Sequence, residues 1–350
     1  MKLIDEIKNQ FINQSEAFKT ISYLQVHLTS RCEESCEHCY LKDKYRNLDI
    51  KYTEISNFIN QFVKISQKNN RKLYISFTGG DPLLYPKFES IISEYSAKGI
   101  NVSIKGNPTL INGNLVKNLK KLNIAKYHLS LDGLENIHDS IRSNGSFKTT
   151  LNAIDTLHQE NIPVLIKYTL SKKNYVDIFN SMKLMSEKGV EYFDFARLAP
   201  LDQSSEFYIS PTEYKNLLSN ILSYYIQLLK TGSKMRLLFR DHLWNLLFYE
   251  MGIINDIHTI SGCSMLNPYC FVINYDANVY KCAKVRNILL GNIYRDSLHD
   301  ILINQEDSGV LKREYYEGCK SCKLFLICRG CCATCNAVNM RDSQCWREIW

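Results

Sequence analysis

Cysteine placement carries the clearest chemistry in this chain. Cys32, Cys36 and Cys39 lie in RCEESCEHCY, spaced C-x3-C-x2-C. A zinc ribbon needs two C-x2-C pairs, which this stretch lacks. Three thiolates can hold three irons of a 4Fe–4S cube and leave the fourth iron open to ligate a small molecule and pass it an electron. A zinc site or plain buried thiols are the competing readings of the same spacing. Ten of the 13 cysteines fall at 263–345 and none between 40 and 262. The odd total argues against complete disulfide pairing, and the clustering points to metal or cluster ligation. In the tail, Cys319, Cys322, Cys328 and Cys332 are spaced C-x2-C-x5-C-x3-C, Cys345 follows, and Cys263, Cys270 and Cys282 lie upstream.

Two further motifs follow apolar runs. TGGDP (78–82) has two glycines that let backbone approach a ligand and Pro82 to fix the exit, although alone it also reads as a simple turn. SLDG (130–133) is followed by HDSIR (138–142). Here an Asx turn and a surface ion pair are the bland alternatives.

The elements that position these motifs show as β-rich runs alternating with helical patterns. Strands are expected at 23–29, 72–78, 100–106, 126–132, 163–170 and 191–197, with helices between them and a long one at 210–232. Ser210 caps that helix, Pro211 suits its first turn and Gly232 its end. Such alternation predicts a parallel sheet with right-handed crossovers. Six units make a partial (β/α)6 barrel, an α/β fold whose ligands sit at the C-terminal strand ends. The barrel is expected over 1–232, with an N-terminal helix at 1–20. A helical connector follows at 233–262, then a loop-rich, metal-organised domain at 263–350.

The cysteine loop after the first strand of such a barrel resembles the radical S-adenosylmethionine (SAM) superfamily, and the C-terminal cysteines resemble its SPASM extension, an iron–sulfur domain with two auxiliary 4Fe–4S clusters. The resemblance covers most of the chain. It implies three 4Fe–4S clusters and SAM, whose reductive cleavage gives a 5′-deoxyadenosyl radical that abstracts hydrogen. Cys32, Cys36 and Cys39 would hold the SAM-binding cluster, with His38 and Tyr40 beside the last cysteine. Gly79, Gly80, Asp81 and Pro82 would replace the family's GGEP, which holds the SAM amino group. Ser130 and Arg142 would contact SAM, Arg142 by a bidentate grip on a carboxylate, with Asn107, Lys167 and Thr169 as weaker contacts. Cys263, Cys270, Cys282 and Cys332 would hold one auxiliary cluster, and Cys319, Cys322, Cys328 and Cys345 the other. Two departures stand out: Ala277 where the family has glycine, and Cys331 before Cys332, which with Cys335 has no assigned role.

SPASM members mostly modify peptides, so the resemblance implies a peptide maturase forming a thioether or C–C crosslink, oxidising or epimerising. A small-molecule dehydrogenase or cofactor-synthesis enzyme is the alternative. Sulfatase maturases carry Asp after the equivalent of Cys282; here Ala283 and Lys284 follow, which speaks against that activity. Asp132, Asp241 and His242 are candidate catalytic bases. Only 31 residues precede Cys32, so any leader recognition is expected to need a separate protein or another surface, and an electron donor such as flavodoxin or ferredoxin is implied.

Composition sets the remaining bounds. An apolar share of 45% over 350 residues supports a sizeable core. The net charge of +7 is spread without long Lys/Arg runs, so no nucleic-acid footprint is expected, although an acidic peptide would suit it. Without a signal peptide or an 18-residue apolar run, a cytoplasmic protein with no membrane span is expected.

Overall fold

The computed structural model describes residues 2–41, 47–199, 206–255, 264–312, 314, 317–328, 330–334 and 341–347. Seven strands follow one another in parallel: β1 (Ile21–His27), β2 (Lys72–Thr78), β3 (Asn101–Lys105), β4 (Lys126–Ser130), β5 (Val164–Leu170), β6 (Tyr192–Arg197) and β7 (Arg236–Leu238). The other edge of β1 takes β8 (Cys270–Ile273), also parallel, and β9 (Asn278–Tyr280) and β10 (Leu289–Asn292) continue antiparallel. All ten form one sheet in the order β10-β9-β8-β1-β2-β3-β4-β5-β6-β7. The helices are α1 (Lys2–Thr20), α2 (Tyr52–Lys68), α3 (Phe88–Ser96), α4 (Gly113–Lys121), α5 (Glu135–Ile141), α6 (Ser146–Gln159), α7 (Ile178–Glu187), α8 (Pro211–Lys230), α9 (His242–Glu250), α10 (Leu298–Asp307) and α11 (Phe325–Cys328).

The expected partial barrel is present, and the period-2 pattern explains its two faces. Leu24 and Val26 of β1, Ile75 and Phe77 of β2, and Val102 and Ile104 of β3 join one core with Ile55, Ile59 and Phe62 of α2 and Ile91 and Ile92 of α3. The alternate residues Tyr23, Gln25, Ser103, Lys105 and Lys126 face the other way and are only half-buried. The barrel interior is therefore lined by polar residues. Its strand ends, not its middle, carry the cysteine loop.

All six expected strands form, with ends shifted by one or two residues. A seventh, β7, stands where a continuous helix over MRLLFRDHLWNLLFYEMG is expected. The helical period fails there because Asp241 is an N-cap: its side chain accepts from Leu243 N, so α9 starts only at His242. The α8 start is as read, with Ser210 and Glu213 forming a capping box and Pro211 in the first turn. No helix among the described residues is long and apolar enough to cross a membrane.

Candidate active site at the cysteine loop

The loop after β1 is fixed by the turn after β2. Leu28 N donates to Thr78 O (2.8 Å), Gly80 N to Thr29 O (2.8 Å) and Asp81 N to Arg31 O (2.7 Å). A Cβ on Gly80 would lie 2.0 Å from Arg31 O and 2.8 Å from the Cys32 Cβ; one on Gly79 would lie 2.5 Å from Thr29 O. The two glycines thus permit a backbone-to-backbone seam that any side chain would break.

The three thiols are half-buried, and two of them receive N–H donors. Asn107 Nδ2 donates to Cys32 Sγ (3.2 Å) and Arg142 Nη1 to Cys36 Sγ (3.5 Å). Burial pushes the Cys36 thiol up to about 12 against the pull of Arg142. Metal coordination is what makes such a thiol a thiolate at neutral pH. Tyr40 meets the His27 ring edge-on (centroids 6.0 Å), with Arg286 over its own ring at 5.8 Å.

Asp81 supplies a direct test of fit for a ligand. It is fully buried, its Oδ1 accepts from Leu83 N (3.1 Å), and its Oδ2 has no partner. Burial raises its pKa to about 7. An orphaned carboxylate oxygen is costly, and an ammonium beside it would remove that cost. The GGDP turn therefore suits the amino group of a ligand such as SAM.

Arg142 and Asp132 sit differently from expectation. Arg142 Nε donates to Asp132 Oδ2 (2.7 Å) and Nη1 reaches Glu34 Oε2 (3.3 Å), so the chain's own acids already hold the guanidinium. Asp132 is fully buried, and its Oδ1 accepts from Thr169 N (2.6 Å), while His38 Nε2 lies 3.6 Å from Oδ2. Burial pushes Asp132 up, but Arg142, His38 and the Thr169 N–H together hold it below its ordinary value. With both oxygens engaged, Asp132 orients Arg142 and His38 rather than standing open at the mouth as a base.

Three residues of this network escaped the sequence reading. Ser146 Oγ donates to Glu34 Oε1 (3.2 Å), His138 Nε2 lies 3.2 Å from Ser146 Oγ, and His138 Nδ1 accepts from Asp132 N (3.0 Å). That last bond leaves the His138 proton on Nε2. The one available signal was Glu34, an acid placed between two of the cysteines.

In the C-terminal region, Cys319, Cys322, Cys328 and Cys345 line one pocket with Gly330 and Asp342. Gly330 has φ +66, and a Cβ there would lie 3.7 Å from Cys319 Sγ. Among the described residues no three His, Cys, Asp or Glu side chains stand close enough to hold a single metal ion. Sulfurs spread around a pocket suit a polynuclear cluster. Cys282, Cys331 and Cys332 pack against a second, small apolar cluster of Ala199, Met265, Val285, Val310 and Ala333. Cys270, at the head of β8, is fully buried. Cys263 and Cys335 lie outside the described residues.

Arg197, the last residue of β6, ties this region to the barrel. Its guanidinium grips Asp342 with two bonds (2.6 and 2.8 Å) and donates through Nε to Asp241 Oδ2 (2.7 Å). Asp241 thus lies beside the C-terminal thiols, not the first loop, and also caps α9; His242, next in the chain, is buried on that helix. Lys284 Nζ donates to Arg197 O (2.8 Å), and its charge reaches both His38 and Cys282. The two thiol regions therefore share an edge of the barrel mouth. Ser130, the last residue of β4, is the register partner of Lys167 in the middle of β5, and Lys167 Nζ pairs with Asp194 Oδ2 (2.5 Å).

Comparison with known proteins agrees with this architecture. The radical SAM superfamily profile matches residues 26–185, and the SPASM iron-sulfur cluster-binding domain matches 263–323. The chain is similar to the AdoMet-dependent heme synthase of Methanosarcina barkeri (26% identity, 87% of this chain and 89% of that one). It is also similar to an uncharacterized protein of Methanocaldococcus jannaschii (30%, 76% and 93%). A cysteine-type anaerobic sulfatase-maturating enzyme of Clostridium novyi (24%, 90% and 88%) matches as well, as does the sporulation killing factor maturation protein SkfB of Bacillus subtilis (25%, 80% and 65%). In fold it resembles anSMEcpe with bound AdoMet (TM-score 0.71, 19% identity, 93% of each chain). It likewise resembles Streptococcus suis SuiB bound to precursor peptide SuiA (TM-score 0.73, 17%, 97% and 80%). The chain belongs to the radical SAM superfamily: it is an enzyme whose cofactors are SAM, a 4Fe–4S cluster and the auxiliary iron–sulfur clusters of a SPASM domain.

Proposed function

We propose that this enzyme matures a ribosomally made peptide. The observation that carries the reading is the shared edge of the mouth, where Arg286, four residues after Cys282, lies over the ring of Tyr40, next to Cys39, at 5.8 Å. A peptide side chain at the strand ends would lie between the site of radical formation and a second redox centre. That arrangement suits oxidation or crosslinking, which release electrons after the first hydrogen is removed. The names of SkfB and of SuiB with its precursor peptide support a peptide substrate. Ala283, where sulfatase maturases carry Asp, argues against sulfatase maturation.

On this reading Cys32, Cys36 and Cys39 hold the SAM-binding cluster; Cys263, Cys270, Cys282 and Cys332 hold one auxiliary cluster; and Cys319, Cys322, Cys328 and Cys345 hold the other. When bound, the first cluster would relay an electron to SAM and so supply hydrogen-abstracting chemistry, and the auxiliary clusters would supply further redox centres. Residues of the chain do the positioning. Gly79 and Gly80 keep the SAM turn against the cysteine loop, and the orphaned Asp81 oxygen receives the methionyl ammonium. Asn107 and Arg142 donate to the thiolate sulfurs, and Asp132 holds Arg142 in place. A reductant of the flavodoxin or ferredoxin class supplies the electron.

A second reading, a carboxylate-bearing small molecule as substrate, is favoured by the heme synthase aligned over 87% of the chain. The test is an anaerobic incubation of reconstituted enzyme with SAM, dithionite and short peptides encoded near its gene, read by mass spectrometry. The maturase reading expects peptide-dependent 5′-deoxyadenosine together with loss of hydrogen from the peptide, or solvent deuterium gain for epimerisation. Turnover of an iron porphyrin with every peptide left untouched would sink it.

A further inference from the structure

Among the described residues, the polar interior of the barrel holds more positive charge than its own acids balance. Lys105 ends β3, Lys126 begins β4, Lys167 lies in β5, and Arg240 follows β7. All four act on the ring of His128 in β4. Lys105 Nζ donates to two neutral oxygens, Tyr23 Oη and Gln25 Oε1, both at 2.8 Å. Lys126 lies over the Tyr192 ring at 4.5 Å. Lys167 and Arg240 share one oxygen of Asp194, Oδ2, at 2.5 and 3.3 Å. Among the described residues, four cations therefore face one carboxylate.

The same space has unused hydrogen-bonding capacity. His128 is 6% exposed, yet neither ring nitrogen has a partner, and Asp194 Oδ1 has none either. A buried imidazole left without partners among cations is an unfilled donor site. Burial, reinforced by neighbouring cations, brings Lys126 and Lys167 down to about 8, as expected of crowded positive charge. Asp194 pairs directly with Lys167 and Arg240 and reaches Lys126 only at a distance, so neither Lys105 nor Lys126 has a carboxylate in direct contact.

We propose that this well binds a carboxylate of the substrate, held by Lys105 and Lys126 with one His128 ring N–H donating. Identifying that group as an acidic side chain of a peptide rests on the maturase reading; the chemistry of the well does not. The carboxylate of SAM itself is the other source of the same chemistry, and the experiment separates the two.

The experiment is calorimetric titration of tricarballylate, with its uncharged triamide as control, into cluster-reconstituted protein already saturated with SAM. The acid is expected to bind, the triamide not, and the Lys105→Gln/Lys126→Gln variant to bind the acid about tenfold more weakly or worse, from loss of two charge-assisted bonds. Lys126→Gln alone checks the well without relying on the double variant. Removing one of several repelling cations raises its melting midpoint above wild type, and saturating tricarballylate reverses that order. Equal binding by the double variant, or equal binding of acid and triamide, overturns the proposal. Binding seen only without SAM assigns the well to the SAM carboxylate and overturns the substrate claim. The maturase reading fails independently: tight tricarballylate binding in an enzyme that leaves all acidic peptides unmodified keeps the well and removes the peptide. Equal modification of Glu- and Gln-bearing peptides keeps the peptide and removes the well.

Discussion

Replacing Arg197 by Met would cut the clamp between the barrel and the C-terminal region around Asp342 while keeping the length of the side chain. Arg197 is 2% exposed, and its partners Asp241 and Asp342 are 7% and 1% exposed. The variant therefore leaves two buried carboxylates without their cation. Breaking a buried ion pair in this way costs about 3–5 kcal/mol. At about 2.1 cal/mol/K per residue, 350 residues give an unfolding entropy of about 0.7 kcal/mol/K, so the midpoint should fall by about 4–7 °C. Thermal melts of the reconstituted protein read this, and iron per chain reads whether the Asp342 pocket still holds its cluster. Adding Asp342→Asn to the Met variant removes one of the stranded charges and should recover part of the loss. A drop below about 2 °C for Arg197→Met, or no recovery in the double variant, would refute the argument that the clamp is held by charge rather than by packing.

Three further outcomes follow from the same geometry. Asn107→Ala removes the N–H donor to Cys32 Sγ, so the first cluster should become harder to reduce; about 1 kcal/mol for that bond is on the order of 40 mV in a redox titration followed by EPR. Gly80→Ala puts a methyl 2.0 Å from Arg31 O, so the cysteine loop must shift, and iron content should fall by about four per chain with loss of SAM cleavage; full loading would show that the seam is dispensable. Ala277, buried and at φ +70, stores left-handed strain; Ala277→Gly should stabilise the protein by about 1 kcal/mol, which a melt rising by about 1 °C would register and a falling one would contradict.

Much of this was legible because the signals were local. Period-2 runs with Ser210 and Gly232 at the ends of a helical stretch located the barrel elements, and the spacing of Cys32, Cys36 and Cys39 located the loop. What escaped was set by distance in the chain. Glu34 and Ser146 meet across 112 positions and Arg197 and Asp342 across 145, so no window reveals them. Asp132 was read from its place beside a strand end, which says nothing of Thr169 N and Arg142 claiming its oxygens. β7 was hidden because three residues are too few for a period and Asp241 imitates a helix-interior polar residue until its capping bond is seen. The basic interior was present as single lysines on separate strands, of which only Lys167 stands out in the sequence, and as a cofactor contact, until the sheet brings them around His128.

The pairing of β8 with β1 also orders how the protein is made. Tyr23–Val26 of β1 find their second set of partners only at Cys270–Ile273. From His27 to Cys270 is 270 − 27, or 243 positions, which a ribosome covers in about 12–50 s at roughly 5–20 residues per second. For that time the first strand of the barrel has one exposed hydrogen-bonding edge, the kind that recruits other chains. Closing it sets Cys270, the first residue of β8, beside Tyr23. Barrel assembly thus precedes the docking of the tail, and iron loading of the SPASM thiols becomes a late event in biogenesis, after a nascent interval in which chaperone cover matters most.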